Sequence, residues 1–341
     1  MNSENNNLRK QVTDYCTQIG SDSMLIQGAG GNVSWKDDGV LWIKASGTWL
    51  VNATSEDIFV PVDLNNLNQS ISNTDFKVTP KVIGGSKLRP SIETLLHALM
   101  PHKIVVHVHA IEALSHLVRN NYEAEVSYKL NVNYIYGFVG YHKPGAELAS
   151  SIAISIKENP GVSVLFLQNH GLVIGGDSIE EIKGKLDNLL INLTSSHILN
   201  SNSKKLPEPL CLNKIIYTPV PLLDVQNLAL LPDLYHRLEN NWALYPDHIV
   251  FLGAKPFIYD SVDLLMNNLK NGYLPELVFI KQEGVFSTGS FSKAKALQIK
   301  CYYDVLVRQP IDTTLRTLNS DEINELIHWD AEKYRQSLSK N

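Results

Sequence analysis

Cysteine is scarce in this chain. Only Cys16, Cys211 and Cys301 occur among 341 residues, far apart and without a CxxC spacing. That excludes a disulfide framework and a thiolate zinc site. Charge is sparse as well: Asp, Glu, Lys and Arg make up 19%, against a globular norm of about 25%. Hydrophobic residues reach 44%, the reverse of the balance that keeps a chain disordered. There is no basic excess. The net charge is −5, so no overall field draws nucleic acid or an anionic membrane. No apolar run reaches the roughly 18 residues of a membrane span, and the opening MNSENNNLRK lacks the apolar stretch of a signal peptide. These absences predict a reduced, cytoplasmic protein with no nucleic-acid or membrane partner. In that compartment the sequons at Asn32, Asn52, Asn68 and Asn192 are chance products of an asparagine-rich chain.

At roughly 150 residues per domain the length predicts about two domains. Helical spacing runs over 8–20, with Leu8, Val12, Tyr15, Cys16 and Ile19 on one stripe. A Gly-rich turn, Gly28 to Asn32, leads into strands at 33–35 and 40–44. Ser91 is placed to cap a helix over 92–100. A β-branched strand follows at 104–109. Further on, 148–158 reads as helix, 162–167 and 172–174 as strands, and 178–199 as a long helix. Residues 200–210, with two lysines and two prolines, read as the linker. Beyond it, 248–252 and 277–280 read as strands, 284–289 as a turn, and 292–306 and 320–338 as helices.

The sharpest local signal is His107-Val-His109. Side chains at i and i+2 of a strand share a face, so two imidazoles can chelate one metal ion. A third neutral ligand would leave one position open, the arrangement of catalytic zinc. His170, at a strand end before Gly171, is the candidate. Spacing alone leaves the alternative open, because an HxH pair is common. The second signal is Arg89-Pro-Ser-Ile-Glu-Thr94, which puts Glu93 at a helix start with His97 one turn on. The start of that helix suits an anion, or simply carries a serine cap and an acidic first turn. The Gly30–Ser34 turn could cradle phosphate through backbone N–H groups. It matches neither the Rossmann fingerprint nor the P-loop.

Taken in order, Gly30-Gly-Asn-Val-Ser34, Lys44-Ala-Ser-Gly47, Pro90-Ser-Ile-Glu93, His107-Val-His109, Tyr141-His-Lys-Pro-Gly145 and Gln168-Asn-His-Gly171 resemble the class II aldolase/adducin family. The resemblance implies a three-layer α/β/α fold with a mixed, mainly antiparallel sheet. It implies a domain over 1–205, followed by a small C-terminal α/β domain over 212–341. A divalent metal, most simply Zn2+, would be held by His107, His109 and His170. Glu93 would be the acid/base carboxylate. Gly31, Asn32, Ser46, Gly47 and Ser91 would bind the phosphate of a sugar phosphate. A homo-oligomer, a tetramer by analogy, is implied too. The chain departs from the aldolases in carrying Ser91-Ile92 where they usually have Ser-Ser, and in a shorter stretch from Glu93 to His107. Tyr245-Pro-Asp-His-Ile-Val-Phe251, Gly284 to Gly289 and Trp329-Asp-Ala-Glu-Lys-Tyr-Arg335 resemble the middle of long bifunctional rhamnulose-phosphate aldolase/alcohol dehydrogenase proteins, here expected without the dehydrogenase.

The implied reaction is cleavage of a ketose phosphate to dihydroxyacetone phosphate, or a similar fragment, and an aldehyde through a metal-stabilised enediolate. An epimerase, dehydratase or decarboxylase of a sugar phosphate would use the same histidines. A non-enzymatic scaffold, as in adducin, would lack them.

Overall fold

A computed structural model describes residues 3–196 and 205–338. It divides into two compact units, the first made of residues up to Thr194 together with 329–338. Each is taken by itself.

The first unit begins with α1 (Ser3–Gly20), β1 (Asn32–Asp37), β2 (Val40–Lys44), β3 (Phe59–Asp63), α2 (Leu64–Ser72) and α3 (Thr94–Leu99). Then follow β4 (Ile104–Val108), α4 (Ile111–Leu117), α5 (Tyr122–Lys129), β5 (Tyr136–Val139) and α6 (Ala146–Glu158). It closes with β6 (Val164–Leu167), β7 (Gly171–Gly176) and α7 (Ile179–Leu193). Its seven strands run in the order β3-β2-β1-β4-β7-β6-β5. Every neighbouring pair is antiparallel except β5 and β6, the mixed, mainly antiparallel sheet that was expected.

Both faces of this sheet are covered. On one, Ile104, Val106 and Val108 pack with residues of α1, α4 and α7. On the other, Val105 packs with Leu96 of α3 and Ile152 of α6. Burial on both faces explains why β4 reads as an unbroken apolar run rather than alternating. It also fixes a direction: with 104, 106 and 108 toward α1, the strand period sends His107 toward α3 and α6.

The second unit contains β8 (Leu210–Leu212), β9 (Ile215–Pro219), α8 (Asn227–Leu230), α9 (Pro232–Asn240), α10 (Pro246–Leu252), β10 (Ile258–Tyr259) and α11 (Val262–Lys270). It continues with β11 (Leu277–Ile280), β12 (Gly284–Ser287), α12 (Lys293–Leu306) and α13 (Ser320–Ile327). Its sheet order is β10-β11-β12-β9-β8. Two expectations are corrected here. Residues 248–252 are helical, because Pro246 at the first helical position sets the backbone for α10 after the extended Tyr245. Residues 284–287 are strand, because they pair antiparallel with β11 from Ile280 opposite Gly284 to Leu277 opposite Ser287.

The expected helix over 320–338 is two helices. It breaks at His328, and α14 (Asp330–Leu338) belongs by its contacts to the first unit. The expected helix over 178–199 ends at Leu193, and residues 197–204, with most of the expected linker, lie outside the described residues. Among the described residues no helix is long and apolar enough to cross a membrane.

His248 of α10 is wholly buried. Its ring lies 4.2 Å from that of Trp242 and 4.5 Å from that of Tyr302. Burial lowers its pKa to about 3. The unfolded chain, with an imidazole near 6.5, binds a proton that the folded chain excludes. Stability is therefore fully present above about pH 6.5 and falls as pH drops toward 3. Thermal melts at pH 7.5 and 4.5 should show a smaller acid-induced fall in Tm for His248→Phe than for the parent; an equal fall would contradict this.

Candidate metal and acid–base site

Three strands and one loop bring the site together. The register pairs Asn32 of β1 with His107 of β4, and His107 with Val173 of β7. His109 lies just beyond the end of β4, and His170 just before β7. The Gly-rich turn passes directly beside this point. Gly31 has φ +59°, and a Cβ there would lie 2.7 Å from the His107 carbonyl oxygen. Only glycine allows both the left-handed backbone and the close approach.

The ligand nitrogens of His107, His109 and His170 all lie within 4.8 Å of one another, and all three residues are buried. His107 Nε2 and His109 Nε2 are 3.0 Å apart. A tetrahedral ion with nitrogens at about 2.0–2.1 Å sets them about 3.3 Å apart, so small ring movements suffice. His107 Nδ1 is 2.9 Å from the Leu172 carbonyl oxygen. A carbonyl only accepts, so Nδ1 carries the proton and the Nε2 lone pair faces the site. This is the donor chemistry of a divalent first-row metal site, and the residues fit one.

Glu93 completes the cluster. Its Oε2 lies 3.6 Å from His107 Nε2 and its Oε1 3.4 Å from His170 Nε2. Burial pushes its carboxyl pKa up; the positive charge of His107 and His170 in their protonated form, with the Asn32 amide and His109, outweighs that and holds it down to about 2. Glu93 is therefore ionised at neutral pH. The helix it introduces starts at Thr94, with Glu93 itself as N-cap, rather than at Ile92. Ser91 Oγ accepts from the Glu93 backbone N–H at 3.2 Å, which orders the turn ahead of the helix, so the expected serine cap is corrected: α3 has no side-chain cap.

Sequence reasoning missed the chain of contacts behind this carboxylate. Asn32 Nδ2 donates to Glu93 Oε2 at 2.7 Å, so Asn32 Oδ1 is left to accept. It accepts from His97 Nε2. That fixes the proton on Nε2, and His97 Nδ1 in turn accepts from Ser34 Oγ at 2.7 Å. Burial, with His107 adding to it and Glu93 opposing, lowers the His97 pKa to about 3, so the ring is neutral and its tautomer is set. The spacing of Glu93 and His97 had signalled a shared helix face, but not this link.

The expected phosphate residues stand at one rim. Ser46 N–H donates to the Arg89 carbonyl at 2.9 Å, and Ser91 N–H to the Lys44 carbonyl at 3.1 Å. Asn32 Nδ2 lies 3.3 Å from Ser91 Oγ. The Ser46–Gly47 and Ser91 turns are thus joined through the backbone, and Asn32 meets Ser91 and Glu93 through its side chain.

Residues 10–189 match the family described as "Class II Aldolase and Adducin N-terminal domain". A curated relative in Bacillus subtilis (strain 168), named "Uncharacterized oxidoreductase YuxG", is 31% identical over 182 residues, which is 48% of this chain and 25% of that protein. The chain thus spans about a quarter of its length. Among solved structures, the N-terminal class II aldolase domain of a conserved protein from Thermoplasma acidophilum is 25% identical. It covers 54% of this chain and 90% of that one, with a TM-score of 0.46. A sugar-phosphate aldolase from Thermotoga maritima is 14% identical, covers 56% and 94%, and has a TM-score of 0.45.

Proposed function

The chain belongs to the class II aldolase and adducin N-terminal domain family, and on that footing we propose that it is a metal-dependent carbon–carbon lyase acting on a ketose phosphate. The observation that carries the reading is the buried set of three converging imidazoles with an ionised carboxylate against them. A scaffold with no chemistry has no use for these charges and lone pairs in its interior, where burying them is costly.

His107, His109 and His170 would hold the divalent ion, zinc by donor type. When bound, it supplies Lewis acidity toward carbonyl and hydroxyl oxygens of the substrate. Glu93 takes or returns the proton at the carbon beside the carbonyl of the three-carbon fragment. Asn32, steadied by His97 and Ser34, keeps that carboxylate aimed. The Gly31, Ser46–Gly47 and Ser91 turns hold the phosphate and so orient the chain of the sugar. The oxidoreductase name of the Bacillus relative belongs to a protein four times as long as the matched segment and adds no step here.

The test is product mass. The zinc-loaded protein, incubated with a panel of ketose 1-phosphates, should give dihydroxyacetone phosphate and an aldehyde. Loss of water, loss of CO2 or an unchanged mass with altered stereochemistry would instead assign a dehydratase, decarboxylase or epimerase on the same residues.

A further inference from the structure

Helix α14 is laid along the rim that carries the phosphate-side turns. At its start, the Trp329 ring lies where a Cβ on Gly145 would come within 3.4 Å of it, and that same Cβ position is 3.9 Å from the Ile92 carbonyl oxygen. Midway, the Arg89 guanidinium stacks 4.1 Å from the centre of the Tyr334 ring. At its end, Leu338 Cδ1 lies 2.5 Å from where a Cβ on Gly47 would sit. The three anchors are thus the Ser91–Glu93 turn with its neighbouring Gly145 loop, Arg89 just before that turn, and the Ser46–Gly47 turn.

Between these anchors the helix also withdraws two charged side chains from water. Glu332 is 2% exposed. Arg335, with an 11% exposed side chain, pairs with it at 3.3 Å. The outward pair, Asp330 and Lys333, is solvated. Trp329, Tyr334 and Leu338 already suffice to hold the helix on the rim, and withdrawing an ion pair from water as well costs more than such a contact usually returns. Lys44, also buried, donates to the Ala29 and Ala45 carbonyls.

We propose that Arg335 is a binding residue for the anionic group of the substrate, that Glu332 is its positioning residue, and that α14 forms the wall of the phosphate subsite. The planar guanidinium fork matches phosphate oxygens in two-point fashion. The inference rests on the sugar-phosphate reading and deepens it. It assigns recognition to a segment more than 150 residues beyond the last metal-site histidine, His170.

The experiment titrates zinc-loaded protein with inorganic phosphate by calorimetry, with metal content measured alongside. Arg335→Gln should weaken phosphate binding at least tenfold and leave bound zinc unchanged. Arg335→Lys should recover part of the loss. The double variant Glu332→Gln/Arg335→Gln removes both buried charges together, so folding is preserved if the single variant fails to fold, and it should show the same loss. Phosphate binding equal to the parent in a folded Arg335 variant overturns the inference and leaves the lyase reading intact. Tighter binding in that variant also overturns it, because the helix would then be excluding the anion. A parent that holds zinc but takes up no phosphate overturns the phosphate subsite and this inference together.

Discussion

Glu93→Gln should lower kcat by about 10²–10⁴-fold, the usual worth of a positioned acid–base group, while the protein still binds its metal ion. Glutamine preserves the shape of the side chain and the contact with Asn32. It removes the negative charge and the ability to accept a proton. Because the carboxyl is held down to about 2, the parent starts each turnover ionised across the neutral range, ready to act as base. The three histidines remain, so zinc measured after dialysis should stay near one ion per chain. Turnover equal to the parent would remove Glu93 from the chemistry. Loss of the ion together with turnover would make Glu93 chiefly a ligand.

His109→Ala should abolish stoichiometric zinc. Removing even the hydrogen-bond partner of a ligand commonly costs 10–100-fold in metal affinity, so removing a ligand itself should cost more than about 100-fold. The consequence extends to stability. An ion that binds only the folded chain raises Tm by mass action, so added zinc should raise the melting temperature of the parent and leave the variant unmoved. Since each ligand must be unprotonated, zinc retention by the parent should fall as the pH is lowered. An equal thermal response to zinc in parent and variant would contradict the assignment.

How much of this was legible in the sequence depends on the range of the interactions. The His107-Val-His109 pair was readable because strand period two is a local property, although β4 ends at Val108, one residue short of His109. His170 was readable only as a strand-end residue before glycine; what brings it to the pair is the β4–β7 pairing. The Ser34–His97–Asn32–Glu93 chain joins β1 to α3 across more than 60 residues, and no spacing rule reports such a contact. The same holds for α14. Residues 320–338 have helical composition throughout, and nothing local marks the break at His328 or the return of 330–338 to the first unit. Short apolar runs misled in the second unit: Ile249-Val-Phe251 suits a strand by propensity, yet Pro246 and tertiary burial make it helix.

The central claim is that the three histidines and Glu93 form one centre that moves a proton at carbon. It can be tested without knowing the sugar, by incubating the zinc-loaded protein with dihydroxyacetone phosphate in D2O and following the carbon-bound hydrogens by NMR. The account predicts exchange of a single hydrogen beside the carbonyl, stereospecifically, and no exchange with Glu93→Gln or with metal-stripped protein. Undiminished exchange in Glu93→Gln, or none in parent protein carrying one ion per chain, would contradict it.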